Sequence, residues 1–138
     1  MYPRRKEILM GQEENRGAVE RFWEALARED FEAALAEVAD DFEESYPQSG
    51  ERFRGKEDWL ALLTNNPAFP AITVKRHSGR DDLWVTEAAF DYTRDGSAPW
   101  QICEVQECRD GKIARIHAYF GAPFEAAEWR AQWVERPE

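Results

Sequence analysis

The strongest constraint on the fold lies in the second half of the sequence, where β-type segments follow one another with turn signals between them. After Pro70, four segments rich in β-branched and aromatic residues alternate polar and apolar positions. These segments cover residues 71–78, 83–93, 99–109 and 112–120. The last two are separated by Asp110-Gly111, a pair typical of a two-residue hairpin turn. The sequence therefore predicts an antiparallel sheet whose strands are connected in chain order.

The first half of the chain carries helical periodicity instead. One apolar helix face recurs at intervals of three and four residues: Val19, Phe22, Trp23 and Leu26. Asp30 is placed to cap a second, shorter helix, and a third helix is expected over residues 56–64. Between these two helices, residues 42–54 indicate two short extended pieces around a turn. Helices followed by a run of strands predict an α+β fold in which the sheet curls over the helices.

The chain has the length of a single domain. Its 138 residues, 43% of them hydrophobic, can form one core without the help of disulfides or a metal. Residues 1–14 show no hydrophobic periodicity and are expected to form a flexible leader, followed by one domain over residues 15–138. The C-terminal tail from about residue 122 contains Phe124, Trp129 and Trp133. This tail could cover an edge strand or reach a second subunit.

The charge balance argues against two classes of partner. The chain has 18 basic and 28 acidic side chains, for a formal net charge of −10. A protein that binds the nucleic-acid backbone or an anionic membrane surface needs the opposite sign. No apolar run approaches the ~20 residues of a membrane span. We therefore expect neither nucleic acid nor membrane as a partner.

The two cysteines are expected to be unpaired. Cys103 and Cys108 lie five positions apart in one predicted strand, so their side chains point to opposite faces of the sheet. Neither belongs to a CxxC pair, and no second cluster offers a zinc site. The absence of a disulfide framework favours a reducing compartment, which predicts a cytoplasmic location.

Four stretches of the sequence have the order and spacing of a known family. They are residues 19–26 with residues 30–35, Asp40-Asp41-Phe42, residues 53–57, and residues 110–120. Together they resemble the nuclear transport factor 2-like superfamily and, within it, the SnoaL-like (polyketide-cyclase-like) proteins. This resemblance implies a cone-shaped α+β barrel, with three N-terminal helices packed in a strongly curved antiparallel sheet around a blind, mostly apolar pocket.

The same resemblance implies a range of functions rather than one. Members of the superfamily are commonly homodimers through the outer face of the sheet. They include steroid isomerases, dehydratases, epoxide hydrolases and polyketide cyclases, along with non-catalytic binding modules. In the epoxide-hydrolase relatives a Tyr-Phe-Asp string ends the last strand and its Asp is catalytic. This chain has Tyr119-Phe120-Gly121 there, and the arginine of the relatives' Asp-Arg-Asp triad is replaced by Ala89.

Strand alternation selects the candidate pocket residues. On the last strand, His117 and Tyr119 share one face; if that face lines the pocket, His117 could be a general acid or base and Tyr119 a hydrogen-bond donor. On the preceding strand, Trp100 shares a face with Glu104, whose pKa an apolar pocket would raise. The competing interpretation of Glu104 is a cross-strand ion pair with Arg115.

Three further positions complete the candidate set. Either Asp91 or Tyr92 enters the pocket, depending on the register of their strand. Tyr46 and Gln48 lie where the first strand meets the expected pocket mouth, and could contact polar groups of a substrate. An aromatic residue beside a turn is the simpler account of Tyr46.

These residues support two functional hypotheses of nearly equal weight. The first is a cofactor-independent isomerase, cyclase or dehydratase acting on an apolar molecule with a carbonyl or hydroxyl group. Its catalytic residues would be His117, Glu104 and Asp91, and its substrate-binding residues Tyr46, Gln48, Trp100 and Tyr119. The second is a non-catalytic ligand-binding or dimerisation module of the same fold. Because no GxGxxG, P-loop, HExxH or GxSxG motif is present, neither hypothesis includes a nucleotide cofactor or a metal.

Overall fold

The computed structural model describes residues 5–137, and the side chains of all of these except residues 6–9. Its helices are α1 (Arg5–Ala27), α2 (Phe31–Leu35), α3 (Gly55–Thr64) and a C-terminal 3₁₀-helix (Glu128–Trp133). Its strands are β1 (Val38–Tyr46), β2 (Glu51–Arg54), β3 (Ala71–Arg80), β4 (Leu83–Asp91), β5 (Trp100–Arg109) and β6 (Lys112–Gly121). No helix in this part of the chain is both long and apolar enough to cross a membrane.

Helix α1 begins at Arg5, ten residues before the start expected from the sequence. Residues 5–14, which the sequence assigns to a leader, thus lie in this helix, and residues 1–4 lie outside the described part of the chain. None of the side chains of residues 10–14 is buried, and Asn15 is the first buried residue among the described side chains of α1. Asn15 donates from Nδ2 to the carbonyl of Asp81 at 3.0 Å and accepts from the amide of Gly111 at 3.0 Å. It thereby ties the helix to two β-hairpin turns.

The six strands form one unclosed sheet in the order β2-β1-β6-β5-β4-β3. Strands β3 to β6 make the antiparallel meander predicted from the sequence. Strand β1, however, pairs in parallel with β6, so the sheet is neither wholly antiparallel nor connected throughout in chain order. Turn signals reveal hairpins between neighbouring strands but carry no information about this long-range pairing. Register irregularities in the β1–β6, β3–β4 and β5–β6 pairs bend the sheet.

The helices pack into the concave face of the curved sheet. Phe22 and Trp23 of α1, Phe42 of β1 and Trp59 of α3 are at most 2% exposed. Phe22 and Trp59 lie with their ring centroids 5.7 Å apart, and Phe42 packs edge-on against Trp59 at 6.1 Å. This is the α+β fold with N-terminal helices in a curved sheet that the sequence predicts. Phe22 and Trp59 of this aromatic layer also line a cavity between the helices and the sheet.

Candidate functional site

A cavity of about 470 Å³ lies between the helices and the inner face of the sheet. Its size is typical of a small-molecule site. Eight of its 18 lining residues are aromatic: Phe22, Tyr46, Trp59, Phe69, Phe90, Tyr92, Trp100 and Phe120. Residues 65–67 and Pro70, after the end of α3, also line it. The cavity is therefore a largely apolar space, in which the hydrogen bonds and charges of each polar group act more strongly than they would in water.

Two carboxylic acids, Glu44 and Glu104, face into this cavity, and each residue is 5% exposed. Glu44 is on β1 opposite Ile116 of β6, whereas Glu104 is on β5 opposite Ala118 of β6. One strand thus separates them, and their partners on it are two residues apart. The small side chain of Ala118 leaves room for the two carboxyl groups to interact across β6.

Glu44 is held by the indole of Trp59. The Nε1–H of Trp59 donates to Oε2 of Glu44 at 3.0 Å. Burial raises the pKa of Glu44 to about 7, although the hydrogen bond from Trp59 opposes this shift by stabilising the ionised form. A carboxyl group with such a pKa is divided between its acid and base forms near neutral pH, as a general base requires.

Glu104 has no hydrogen-bond partner among the described side chains and backbone groups. Every fully enclosed side-chain oxygen in this part of the chain has a hydrogen-bond partner. Because the carboxyl oxygens of Glu104 have none, they are not fully enclosed and contact the cavity. Burial raises the pKa of Glu104 well above its ordinary value, and the nearby negative charge of Glu44 raises it further. Both effects favour the protonated form of Glu104, in which its carboxyl group can donate a hydrogen bond.

Tyr46 is the third polar group on this side of the cavity. It is half-buried, and its ring packs edge-on against Phe53 at 4.8 Å and Phe120 at 4.9 Å. Burial, reinforced by the charges of Glu44 and Glu104, raises the pKa of the Tyr46 hydroxyl. The hydroxyl therefore stays protonated and can donate a hydrogen bond.

Several of the positions selected from the sequence line the cavity. Glu104 and Trp100 share the inner face of β5, as alternation predicts, and Tyr46 lies at the end of β1. Of the pair Asp91 and Tyr92, it is Tyr92 that enters the cavity. The expected ion pair between Glu104 and Arg115 is absent among the described residues, since Arg115 lies opposite Glu107 in the sheet.

His117 and Tyr119 point away from the cavity, contrary to the expectation from alternation. Tyr119 is 45% exposed, and Nε2 of His117 lies 3.7 Å from a carboxylate oxygen of Glu107 on the outer face of the sheet. The cause is a β-bulge: the register shifts between Glu107 and Cys108. An extra residue on one strand turns every later side chain to the other face.

Asp91 and Gln48 also lie outside the cavity. Asp91 accepts hydrogen bonds from the hydroxyl of Thr93 at 2.7 Å and from its amide at 3.1 Å, and these bonds lower the pKa of Asp91. Asp91 therefore organises the loop after β4. Gln48 donates from Nε2 to the carbonyl of Ala118 at 3.2 Å, which fixes the β1–β2 turn to β6.

The sequence analysis missed Glu44 as a site residue. The signal that could have found it is simple alternation, since Phe42, Glu44 and Tyr46 share a face of β1. Because Phe42 and Tyr46 are large apolar residues, the face they share is expected to point toward the core, and Glu44 lies between them on that face. The partner Trp59 could not have been identified, because its contact with Glu44 depends on the packing of α3.

A buried polar network lies next to the carboxyl pair on the same sheet face. Gln106 accepts from Trp23 Nε1 at 2.8 Å and donates to the Trp84 carbonyl at 3.0 Å and the Thr86 hydroxyl at 3.2 Å. His77, through Nδ1, lies 2.7 Å from the same hydroxyl. Each member is satisfied, so this network stabilises the fold, whereas Glu104 keeps its hydrogen-bonding capacity for a ligand.

The described residues contain no group of three or more His, Cys, Asp or Glu side chains that could hold a metal ion. Cys103 and Cys108 are free, with Cys103 half-buried and Cys108 buried. The polar groups of the cavity wall are thus two carboxyl groups, two tyrosines, two indoles and two asparagines.

Comparison with known structures identifies the same architecture in other proteins. An NTF-2 like protein of unknown function from Burkholderia xenovorans LB400 is 38% identical, with a TM-score of 0.79 over 94% of this chain and 99% of that one. An LEH-like epoxide hydrolase from M. tuberculosis is 30% identical over 79% of this chain and 84% of its own, with a TM-score of 0.62. A candidate ketosteroid isomerase from Kribbella flavida DSM 17836 is 22% identical, covers 92% of both chains and has a TM-score of 0.81.

No curated protein matches this chain significantly. The model of the SnoaL-like domain, in contrast, matches residues 19–116, which extend from the buried half of α1 to the middle of β6. Together with the fold and the 38% identity over nearly the whole chain, this match shows that the protein belongs to the SnoaL-like family of the NTF2-like superfamily.

Proposed function

We propose that the protein is a cofactor-independent enzyme that moves a proton on an apolar small molecule bearing a carbonyl or hydroxyl group. Isomerases, cyclases and dehydratases share this step. The observation that carries the proposal is the pair of buried carboxyl groups, Glu44 and Glu104, facing one apolar cavity. Perturbed carboxyl groups of this kind concentrate at catalytic sites because proton transfer needs groups that titrate near the working pH.

The two acids differ in environment, and this difference assigns their roles. Glu44 accepts a hydrogen bond from Trp59, which favours its carboxylate, so it is the general base. Burial and the charge of Glu44 both favour the protonated form of Glu104, so we assign it the role of hydrogen-bond donor. In the proposed step Glu44 takes a proton from the carbon next to a substrate carbonyl. The electron pair moves to the carbonyl oxygen, and Glu104 stabilises that oxygen by donating its proton in a hydrogen bond.

Hydrogen–deuterium exchange on a bicyclic ketone such as decalone, followed by proton NMR in heavy water, tests this proposal. We expect the protein to accelerate exchange next to the carbonyl. Glu44→Gln removes the base but keeps an acceptor for Trp59, and should slow the reaction by about a hundredfold or more. Glu104→Leu removes the donor and should also slow it by about a hundredfold.

His117→Ala is the matched control, because His117 is an ionisable residue of the same sheet that lies on the outer face. This variant should accelerate the exchange of the ketone as much as the unmodified protein does. An equal loss of rate in this variant would contradict the assignment of the chemistry to the cavity.

The second candidate is a non-catalytic binding module. It is favoured by the lack of any Arg, Lys or His among the described residues that line the cavity, which leaves the carboxyl pair without a cationic partner. A ketone that binds in the cavity but exchanges no faster than in buffer would favour this alternative.

We also propose a cytoplasmic location. Support comes from the two free cysteines: Cys108 is buried, and no disulfide constrains the described part of the chain.

A further inference from the structure

The carboxyl pair lacks a countercharge. The described residues of the cavity wall include two acids and no base. Glu43, which precedes Glu44 in the chain, has Arg54 at 3.2 Å, and Glu37 has Arg21 at 2.8 Å. These two partly buried acids are thus paired with arginines, whereas Glu44 and Glu104 have no cation among the described residues of the cavity wall.

Such an arrangement opposes folding unless something compensates it. Ionisation of either carboxyl group in this apolar space costs hydration, and the charge of one group opposes ionisation of the other. The fold could have avoided this cost by placing an arginine or a lysine in the wall. An unpartnered Glu104, 5% exposed and open to the cavity, is instead ready for a group that comes from outside the chain.

The remainder of the wall also suits a positive charge. Aromatic rings surround the cavity, among them Trp59, Trp100, Tyr46 and Tyr92. The faces of such rings attract cations, most strongly when the cation is removed from water. A carboxyl pair within an aromatic wall therefore offers both of the interactions by which proteins recognise ammonium groups.

We propose that the ligand of this cavity is an organic cation, namely an apolar ring system that carries an ammonium group, and that this group binds against Glu44 and Glu104. The inference rests on the proposed use of the cavity as a small-molecule site and adds the charge of the ligand. It excludes carboxylates, phosphates and sulfates as ligands, because no described basic residue of the wall would compensate their charge.

Calorimetric titration with three probes that share one ring system tests the inference. The probes are naphthylmethylammonium, naphthylmethanol and naphthoate, used near neutral pH. We expect the ammonium probe to bind at least about tenfold more tightly than the alcohol, and the carboxylate at least about tenfold more weakly than the alcohol. Equal or tighter binding of the alcohol, or no binding of the ammonium probe, would overturn the inference.

Variants assign the preference to the carboxyl pair. Glu44→Gln and Glu104→Gln should each lower the affinity for the ammonium probe by about tenfold while changing that for the alcohol by less than about threefold. Glu107→Gln is the matched control, since Glu107 is on the same strand as Glu104 but on the outer face, and should leave all three affinities unchanged. A preference that survives both cavity variants would show that another site binds the cation.

Failure of this inference is distinguishable from failure of the proposed function. If the neutral probe binds best but ketone exchange still depends on Glu44, the enzyme proposal stands and the ligand is neutral. If the ammonium probe binds as expected but no exchange occurs, the inference that the ligand is a cation stands and the protein is a binding module.

Discussion

At the residue scale, the raised pKa values of Glu44 and Glu104 make stability depend on pH. The pKa of Glu44 rises from its ordinary value of 4.5 to about 7 on folding. The folded state therefore binds protons that the unfolded state has released between these values, and its stability falls as pH rises through this window. For Glu44 alone the loss is about 3 kcal/mol.

We accordingly expect the free energy of unfolding, measured by urea denaturation, to decrease between about pH 5 and about pH 8. The double variant Glu44→Gln, Glu104→Gln should remove most of this decrease. Burial lowers the pKa of His77, so His77 makes the free energy of unfolding rise with pH near pH 6. Both the unmodified protein and the double variant contain His77, so its contribution is common to the two measurements. A pH dependence unchanged in the double variant would show that the acids titrate normally.

At the scale of elements, Arg94 joins three loops at the cavity mouth. Its Nε and Nη2 donate to the carbonyl of Phe69 at 3.1 and 2.9 Å, and Nη2 lies 3.2 Å from a carboxylate oxygen of Glu29. Phe69 in turn lines the cavity and packs against Phe31 at 5.0 Å. Arg94 thus connects the loop before β5, the turn after α1 and the segment between α3 and β3.

We expect Arg94→Ala to loosen this mouth without unfolding the protein. Amide hydrogen exchange of residues 65–69 should accelerate, because the carbonyl of Phe69 loses two hydrogen bonds. The free energy of unfolding should change by less than about 1 kcal/mol, since the side chain is exposed. Arg80→Ala, which removes an exposed arginine 3.9 Å from Asp81, is the control and should leave this exchange unchanged.

At the scale of the whole molecule, the C-terminal tail presents an unusual apolar surface. Phe124, Trp129 and Trp133 are 84%, 74% and 71% exposed, although the 3₁₀-helix orders part of the segment. Tyr119 is also exposed, on the outer sheet face, where it borders a shallow groove with Lys75 and Cys103. Exposed aromatic groups of this size commonly mark interaction surfaces.

We propose that these surfaces meet in a homodimer, with the tail of one chain against the outer sheet face of the other. The double variant Trp129→Ala, Trp133→Ala should then change the mass measured by light scattering from twice that of the chain to that of a single chain. Met10→Ala, at a residue of α1 that is 56% exposed, serves as the control. A monomeric mass for the unmodified protein at micromolar concentration would contradict the proposal.

Local sequence determined most of the elements of this protein, because their signals are local. Alternation and turn residues located β3 to β6, and helical spacing located the buried half of α1. Alternation also placed Glu104 and Trp100 on one face, which the structure confirms as the face toward the cavity. Residues 5–14 of α1 carried no such signal, because their sequence has no repeating apolar face.

Tertiary structure alone decided which of the candidate groups meet. The parallel pairing of β1 with β6 brings Glu44 within reach of Glu104, and the packing of α3 supplies Trp59 to Glu44. The irregularity opposite Cys108 turns His117 outward although its spacing in the sequence is unchanged. Pairing between distant strands and bulges depend on the balance of packing across the whole sheet. The periodicity of a single strand therefore shows which of its residues share a face. It does not show which residues of other strands and helices they contact.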